Sequence, residues 1–197
     1  MTCGVRLTLV LSLCFVSLAC SPPVPSYASS LFEGDDESWV ISGNGDSTRP
    51  SFQASGGNGG NGNICATDAT REEFFYFVAP PKFLGTVSST YGSRLTFDLK
   101  TSSQFMLLRG RDIVLNGGGL ALVQNFALKD VPGRDWSPHA FGLDDKSGWI
   151  LDPSGEPATE DNVRTVLRNL TAIRLRGEFV DSPRNVTCLD NVYFGTP

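Results

Sequence analysis

Residues 172–179, with the sequence Ala-Ile-Arg-Leu-Arg-Gly-Glu-Phe, decide the fold class because apolar and polar side chains alternate along them. Alternation with a period of two is typical of a β-strand that buries one face. We predict that Ile173 and Leu175 point into the core. We also predict that Arg174 and Arg176 point out to solvent.

Short segments of similar character recur along the rest of the chain. Turn residues separate them: the run Asn116-Gly117-Gly118-Gly119 predicts a hairpin, and residues 55–63, which are rich in glycine and asparagine, predict a loop. That loop lacks the lysine of a phosphate-binding GxxxxGK[ST] motif. Candidate strands lie at residues 40–41, around 52, and at 73–78, 95–99, 112–115, 120–123, 136–143, 149–151 and 187–194.

One short helix is predicted before the stretch quoted first. Thr159 can cap it, and Glu160 and Asp161 follow where the helix dipole favours acidic residues. An apolar stripe with helical spacing continues at Val163, Val166, Leu167 and Leu170. Many short strands with one connecting helix predict an all-β fold, either a sandwich or a jelly roll.

The first 28 residues predict a secretory signal peptide. Arg6 is their one charged residue, and the apolar run at residues 7–16 is short for a membrane span. We place the cleavage after Ala28, which leaves a mature domain of residues 29–197. Because Cys20 follows Ser17-Leu18-Ala19, a lipid anchor on Cys20 is the alternative interpretation. The expected localisation is secreted or extracellular, without a membrane span.

Two cysteines, Cys65 and Cys188, remain after removal of that segment. In an oxidising compartment a pair of cysteines favours a disulfide, and two buried free thiols are the alternative.

Four stretches in order resemble the laminin IV type A domain, also called the laminin B domain. They lie at residues 77–85 with Tyr91-Gly92, at 95–99, at 112–120, and at 167–179 with 189–192. The resemblance covers residues 31–194 and implies a jelly-roll β-sandwich similar to galactose-binding-like carbohydrate modules. It also implies a secreted, non-catalytic binding or adhesion module. Because the cysteine-rich repeats that flank this domain in laminins are missing here, we expect a stand-alone version.

In carbohydrate modules of similar fold, the first and last strands lie close together and often hold a structural calcium ion. Glu33 and Asp36 stand near the start of the mature chain, and Asp190 stands in the last candidate strand. Calcium prefers carboxylate and carbonyl oxygens, so these three residues are candidate ligands. The alternative is a solvated acidic turn, with Asp190 in a local hydrogen bond.

The resemblance leaves the partner open between an extracellular protein and an extracellular glycan. A carbohydrate-binding module is therefore the alternative function. Aromatic rings could stack on a sugar, although most rings in a sandwich of this size fill the core. The candidates are Tyr76, Tyr91, Trp136 and Trp149.

Composition and motifs argue against several other classes of protein. A net charge of −5 argues against a nucleic-acid partner, and the single histidine, His139, excludes a multi-histidine metal site. The run Gly45-Asp46-Ser47 resembles the opening of a lipase-like hydrolase family, but no Asp-x-x-His follows. A hydrolase is thus the third and least supported function, and we expect no enzyme.

Two triplets, starting at Asn169 and Asn185, fit the acceptor pattern for N-glycosylation in a eukaryotic host. Asn169 falls at the end of the predicted helix. Asn185 comes shortly after Pro183, and we expect it to be the more accessible of the two sites.

Overall fold

The computed structural model describes residues 27–45, 48–69, 74–103, 110–179 and 184–196. Its strands are β1 (Ala28–Ser30), β2 (Val40–Ser42), β3 (Ser51–Gln53), β4 (Asn63–Thr67), β5 (Tyr76–Val78), β6 (Arg94–Thr101), β7 (Ile113–Gly117), β8 (Leu120–Gln124), β9 (Ser137–Gly142), β10 (Ile150–Leu151), β11 (Leu170–Arg176) and β12 (Val186–Thr196). The one α-helix of this part of the chain is α1 (Glu160–Arg168), and short 3-10 turns lie at Pro81–Phe83, Ser88–Thr90 and Leu128–Asp130.

Two antiparallel sheets face each other, as the predicted sandwich requires. Sheet A has the order β3-β4-β12-β6-β9, with β1 paired to β12, and sheet B has the order β10-β8-β7-β11-β5-β2. Apolar residues from both sheets form one core, including Leu95, Phe97 and Leu189 from sheet A and Leu115 and Leu175 from sheet B. The all-β prediction is therefore confirmed.

The predicted hairpin and helix are present. Gly118 and Gly119 form the two-residue turn between β7 and β8, and both have a positive φ (56° and 77°), which glycine adopts without steric cost. Thr159 caps α1: its backbone N–H donates to the side chain of Asn162, and the N–H of Asn162 donates back to the Thr159 hydroxyl.

Arg176 differs from its prediction. Its neighbours Ile173 and Leu175 are buried in the core as expected, but Arg176 is only 2% exposed instead of reaching solvent. Its guanidinium lies 2.6 Å from the carboxylate of Asp112 and 4.6 Å from the ring centroid of Phe179. Alternation indicates the side of the sheet on which a side chain lies. Contacts on that side, here with Asp112 and Phe179, can still bury it.

The predicted disulfide is present. Cys65 on β4 and Cys188 on β12 stand opposite each other in register, and their sulfur atoms are bonded. The bond ties together two neighbouring strands of sheet A that are 123 residues apart in sequence.

Residues 1–26 of the predicted signal peptide lie outside the described residues. Tyr27 and Ala28 belong to sheet A: the Tyr27 N–H donates to the carbonyl of Phe194, and Ala28 opens β1. Among the helices that the structure describes, none is long and apolar enough to cross a bilayer.

Candidate functional site

The outer face of sheet A carries the polar residues that the core leaves unused. On β6, Leu95, Phe97 and Leu99 point into the core, so Thr96 and Asp98 point outward. Asp98 stands opposite Asp190 of β12, and the two carboxylates are therefore neighbours on this face.

A β-bulge in β12 adds a further polar group to the same face. Asp190 pairs with Asp98 and Tyr193 pairs with Thr96, so β12 has one more residue than β6 between these pairs. Val192 fills the core, and the extra residue is Asn191, which has a φ of +48°. The bulge thus turns the Asn191 side chain toward the outer face, beside Asp98.

Asp190 is fully buried at the centre of this cluster. Its carboxylate accepts hydrogen bonds from the backbone N–H groups of Asn58 and Asn191, each at 2.7 Å. Burial raises the pKa of Asp190 to about 6, and the charge of Asp98 acts in the same direction, against the two N–H groups.

The loop predicted over residues 55–63 ends at residue 62, because Asn63 opens β4, and it folds over the cluster and is hydrogen-bonded to it. Asp98 accepts hydrogen bonds from the side-chain amides of Asn58 and Asn191, both at 2.8 Å. Two residues before Asn58, the indole N–H of Trp136 and the ammonium of Lys100 both donate to the Gly56 carbonyl at 3.1 Å. The first half of the loop is thus held against sheet A.

A groove of about 570 Å³ runs along sheet A beside this cluster. This volume lies within the range of small-molecule sites. The side chains that shape it come from β6, β9 and β12: Thr96, Asp98, Pro138, Ala140, Asn191 and Tyr193. We call it the sheet A groove.

One of the predicted calcium ligands, Asp36, is paired with a basic residue. Asp36 accepts hydrogen bonds from Arg49, with the shortest contact at 2.6 Å, and this pairing lowers the pKa of Asp36. Across the described residues there is no group of three or more His, Cys, Asp or Glu side chains arranged to hold a metal ion. Glu33, Asp36 and Asp190 therefore form no such group here, and the calcium ion itself stays a prediction.

Two of the rings predicted to stack on a sugar are occupied inside the protein. Trp149 is 1% exposed, and its indole N–H donates to the Gly142 carbonyl, so it is a core residue. Tyr91 donates to Asp145 at 2.7 Å, which raises the pKa of Tyr91 to about 12. The guanidinium of Arg164 lies 3.6 Å from the Tyr91 ring centroid and covers one face of that ring.

The other two rings lie elsewhere on the surface. Trp136 is half-buried at the end of the loop over sheet A, with the Lys100 ammonium 4.4 Å from its ring centroid. Tyr76 is half-buried on the outer face of sheet B. None of the four rings lines the sheet A groove; Tyr193 does.

The candidate residues for hydrolysis are described only in part. Asp46 and Ser47 lie outside the described residues. His139 is buried against the rings of Phe97 and Phe126, and burial lowers the pKa of His139 to about 4.

The two asparagines of the glycosylation triplets differ in exposure, in the opposite order to the one expected. Asn169 is exposed directly after α1. Asn185 is only 2% exposed, and its side chain hydrogen-bonds to Thr101 and Ser102. The expectation that Asn185 is the more accessible site is therefore wrong, because its side chain is buried and hydrogen-bonded to the end of β6.

Comparison with known proteins identifies the family. The sequence profile described as Laminin B (Domain IV) matches residues 76–196, which include β6, β9, β12 and therefore the sheet A groove. The chain belongs to the laminin B (domain IV) family. This confirms the resemblance carried by the four stretches of sequence.

Relatives of this laminin B chain are much longer proteins. The laminin subunit gamma-1 of Danio rerio is 32% identical over 168 residues, which cover 83% of this chain and 10% of that protein. The laminin subunit gamma-1 of Xenopus tropicalis is 30% identical over 131 residues, covering 64% of this chain and 8% of that protein. This chain thus spans about a tenth of the length of these relatives.

Solved structures confirm the jelly-roll-like fold. The L4b domain of human laminin alpha-2 matches with a TM-score of 0.56 at 18% identity, over 68% of this chain and 80% of that one. A family 11 carbohydrate-binding module from Clostridium thermocellum matches with a TM-score of 0.53 at 16% identity, over 86% of this chain and 95% of that one. At these identities the likeness concerns the fold alone.

Proposed function

We propose that this laminin B domain is a non-catalytic adhesion module that acts outside the cell. The observation that carries the proposal is the family match over residues 76–196, together with sequence relatives that are laminin subunits. No step of catalysis is needed for the role.

The sheet A groove is the contact surface that we assign to this role. Its floor spans three strands that hydrogen bonds hold rigid, and the loop over Asp190 borders it. Rigid elements position a binding surface more accurately than loops do. A partner can therefore bind there without paying for the ordering of a loop.

Adhesion can be tested directly with the secreted full chain. The chain is immobilised at matched density, and attachment of cultured cells is compared with attachment to an albumin surface. We expect attachment above albumin, and loss of that attachment in Tyr193→Ala but not in Tyr76→Ala, which alters the opposite sheet. Equal attachment to the chain and to albumin contradicts the proposal.

We further propose that the chain is secreted by cleavage of its amino-terminal segment, with a lipid anchor on Cys20 as the alternative. The intact mass of the exported chain distinguishes these: a start at Ser29 supports the first, and a diacylglyceryl mass on Cys20 supports the second.

A second candidate function is binding to an extracellular glycan. The lining of the sheet A groove, which combines polar side chains with the Tyr193 ring, favours it specifically.

A further inference from the structure

Four polar atoms in the sheet A groove have bonding capacity left over. Asp98 uses one carboxylate oxygen, Oδ2, to accept from Asn58 and Asn191. No group of the described residues donates to its Oδ1, to Oδ1 of Asn191, or to the hydroxyls of Thr96 and Tyr193. The groove therefore offers two acceptors and two hydroxyls, each of which can both donate and accept.

The remaining lining of the groove is mainly apolar. Pro138 and Ala140 are exposed on β9, and Tyr193 is half-buried on β12. An apolar floor with a few converging polar atoms is the usual construction of a site for a small ligand. The Tyr193 ring adds a π-face, on which the C–H side of a sugar ring can pack.

The bulge in β12 places Asn191 in the sheet A groove with a positive φ. A non-glycine residue with positive φ is uncommon and costs of order 1–3 kcal/mol unless its surroundings compensate. Bulges are found next to binding sites because they redirect a side chain. Here the redirected side chain is an amide that bonds to Asp98 and keeps its own oxygen for a ligand.

From these observations we infer that the sheet A groove binds a neutral oligosaccharide through Thr96, Asp98, Asn191 and Tyr193. Hydroxyl groups of a sugar can donate to Oδ1 of Asp98 and of Asn191. They can also donate to, or accept from, the hydroxyls of Thr96 and Tyr193. Sulfated or sialylated glycans should not bind, because the Asp98 carboxylate lines the groove and repels a negative group. This inference rests on the proposed extracellular binding role and names its ligand class.

The test is a screen of the secreted full chain on an array of neutral, sulfated and sialylated glycans, followed by calorimetry with the best neutral hit. We expect binding to neutral glycans alone. Asp98→Asn keeps an oxygen for the two amides but turns the free acceptor into a donor. It should weaken binding about tenfold or more.

Two further variants separate ligand contact from folding. Asn191→Gly removes the amide while glycine retains the positive φ, and Tyr193→Ala removes the ring; each should weaken binding about tenfold. Tyr76→Ala on sheet B is the matched control and should bind as the wild type does. Circular dichroism melts confirm that each variant folds.

The outcomes separate this inference from the proposed function. Preference for anionic glycans, or neutral binding that survives all three groove variants, overturns the inference. No glycan binding combined with cell attachment that Tyr193→Ala abolishes also overturns it, and leaves a protein as the partner. Absence of both glycan binding and attachment overturns the proposed function as well.

Discussion

His139 is the single histidine of the chain and packs against the rings of Phe97 and Phe126. Its ring centroid is 4.5 Å from that of Phe126 and 5.5 Å from that of Phe97. Burial lowers the pKa of His139 to about 4 from an ordinary value of 6.5. The folded state therefore resists a proton that the unfolded state accepts.

This difference makes stability depend on pH. The contribution of His139 is complete above pH 6.5 and is lost as the pH falls from 6.5 to 4. The free energy of unfolding should therefore be about 2 kcal/mol lower at pH 5 than at pH 7 through His139 alone. We expect His139→Phe, which retains an aromatic ring, to lose less stability than the wild type between pH 7 and pH 5 in urea unfolding. An equal loss in both proteins contradicts the assigned role.

Asp190 acts with the opposite sign over part of the same range. Its folded-state pKa of about 6 lies above the ordinary value of 3.8, so folding favours the protonated form. Stability from this group rises as the pH falls from about 6 to 3.8 and partly offsets the loss from His139. The decline toward pH 5 in the His139→Phe protein should therefore vanish or reverse.

Gly57 shows how closely the loop approaches the cluster. A Cβ atom at this position would lie 2.5 Å from the Asp190 carboxylate and 2.5 Å from the Gly62 carbonyl oxygen. Gly57→Ala should therefore displace the loop and lower the free energy of unfolding by about 1–3 kcal/mol. Gly34→Ala is the matched control, since a Cβ there has nothing within 4 Å. Equal thermal melts of the two variants refute this prediction.

At the scale of elements, sequence patterns predicted those whose signals are local. The β7–β8 hairpin has its glycine turn, and α1 has its cap and apolar stripe. The patterns missed β1 and β4: β1 is three residues long and overlaps the predicted signal peptide, and β4 directly follows a glycine-rich loop. Pairing with β12 stabilises both, and pairing between distant segments leaves no local signal.

The site was predictable only in part for the same reason. Asp190 was a candidate because it is an acid in the last strand, and alternation places Asp98 on the outer face of β6. The role of Asn191 depends on a bulge, and a single inserted residue cannot be recognised without knowing the partner strand. Tyr193 joins the groove only through the resulting shift in register.

Between β7 and β11, the Arg176–Asp112 pair replaces apolar packing with a buried ion pair. Burial lowers the pKa of Arg176 and raises that of Asp112, while their mutual attraction opposes both shifts. Removing Asp112 takes away a carboxylate that lies 2.6 Å from the buried Arg176 guanidinium. Asp112→Leu should therefore lower the free energy of unfolding by about 3–5 kcal/mol.

The double variant Asp112→Leu/Arg176→Met tests the cause of that loss. With both charges of the pair removed, part of the lost stability should return; the rest stays lost, because buried Glu178 loses its neighbouring cation and the Phe126 N–H loses its acceptor. Chemical denaturation of the wild type, both single variants and the double variant gives the coupling energy. Additive losses in the double variant would show that the two side chains act independently.

At the scale of the whole molecule, the Cys65–Cys188 bond encloses the chain from β4 to β12 in one loop of sequence separation 123. A cross-link of this span removes many extended conformations from the unfolded chain, worth up to about 5 kcal/mol in the chain-entropy model. Because sheet A already pairs the two strands, the gain concerns the unfolded state. The double variant Cys65→Ser/Cys188→Ser should therefore melt well below the wild type. Dithiothreitol should lower the melting temperature of the wild type toward that of the variant and leave the variant unchanged. A variant as stable as the wild type would show that strand pairing alone holds the two ends of the fold together.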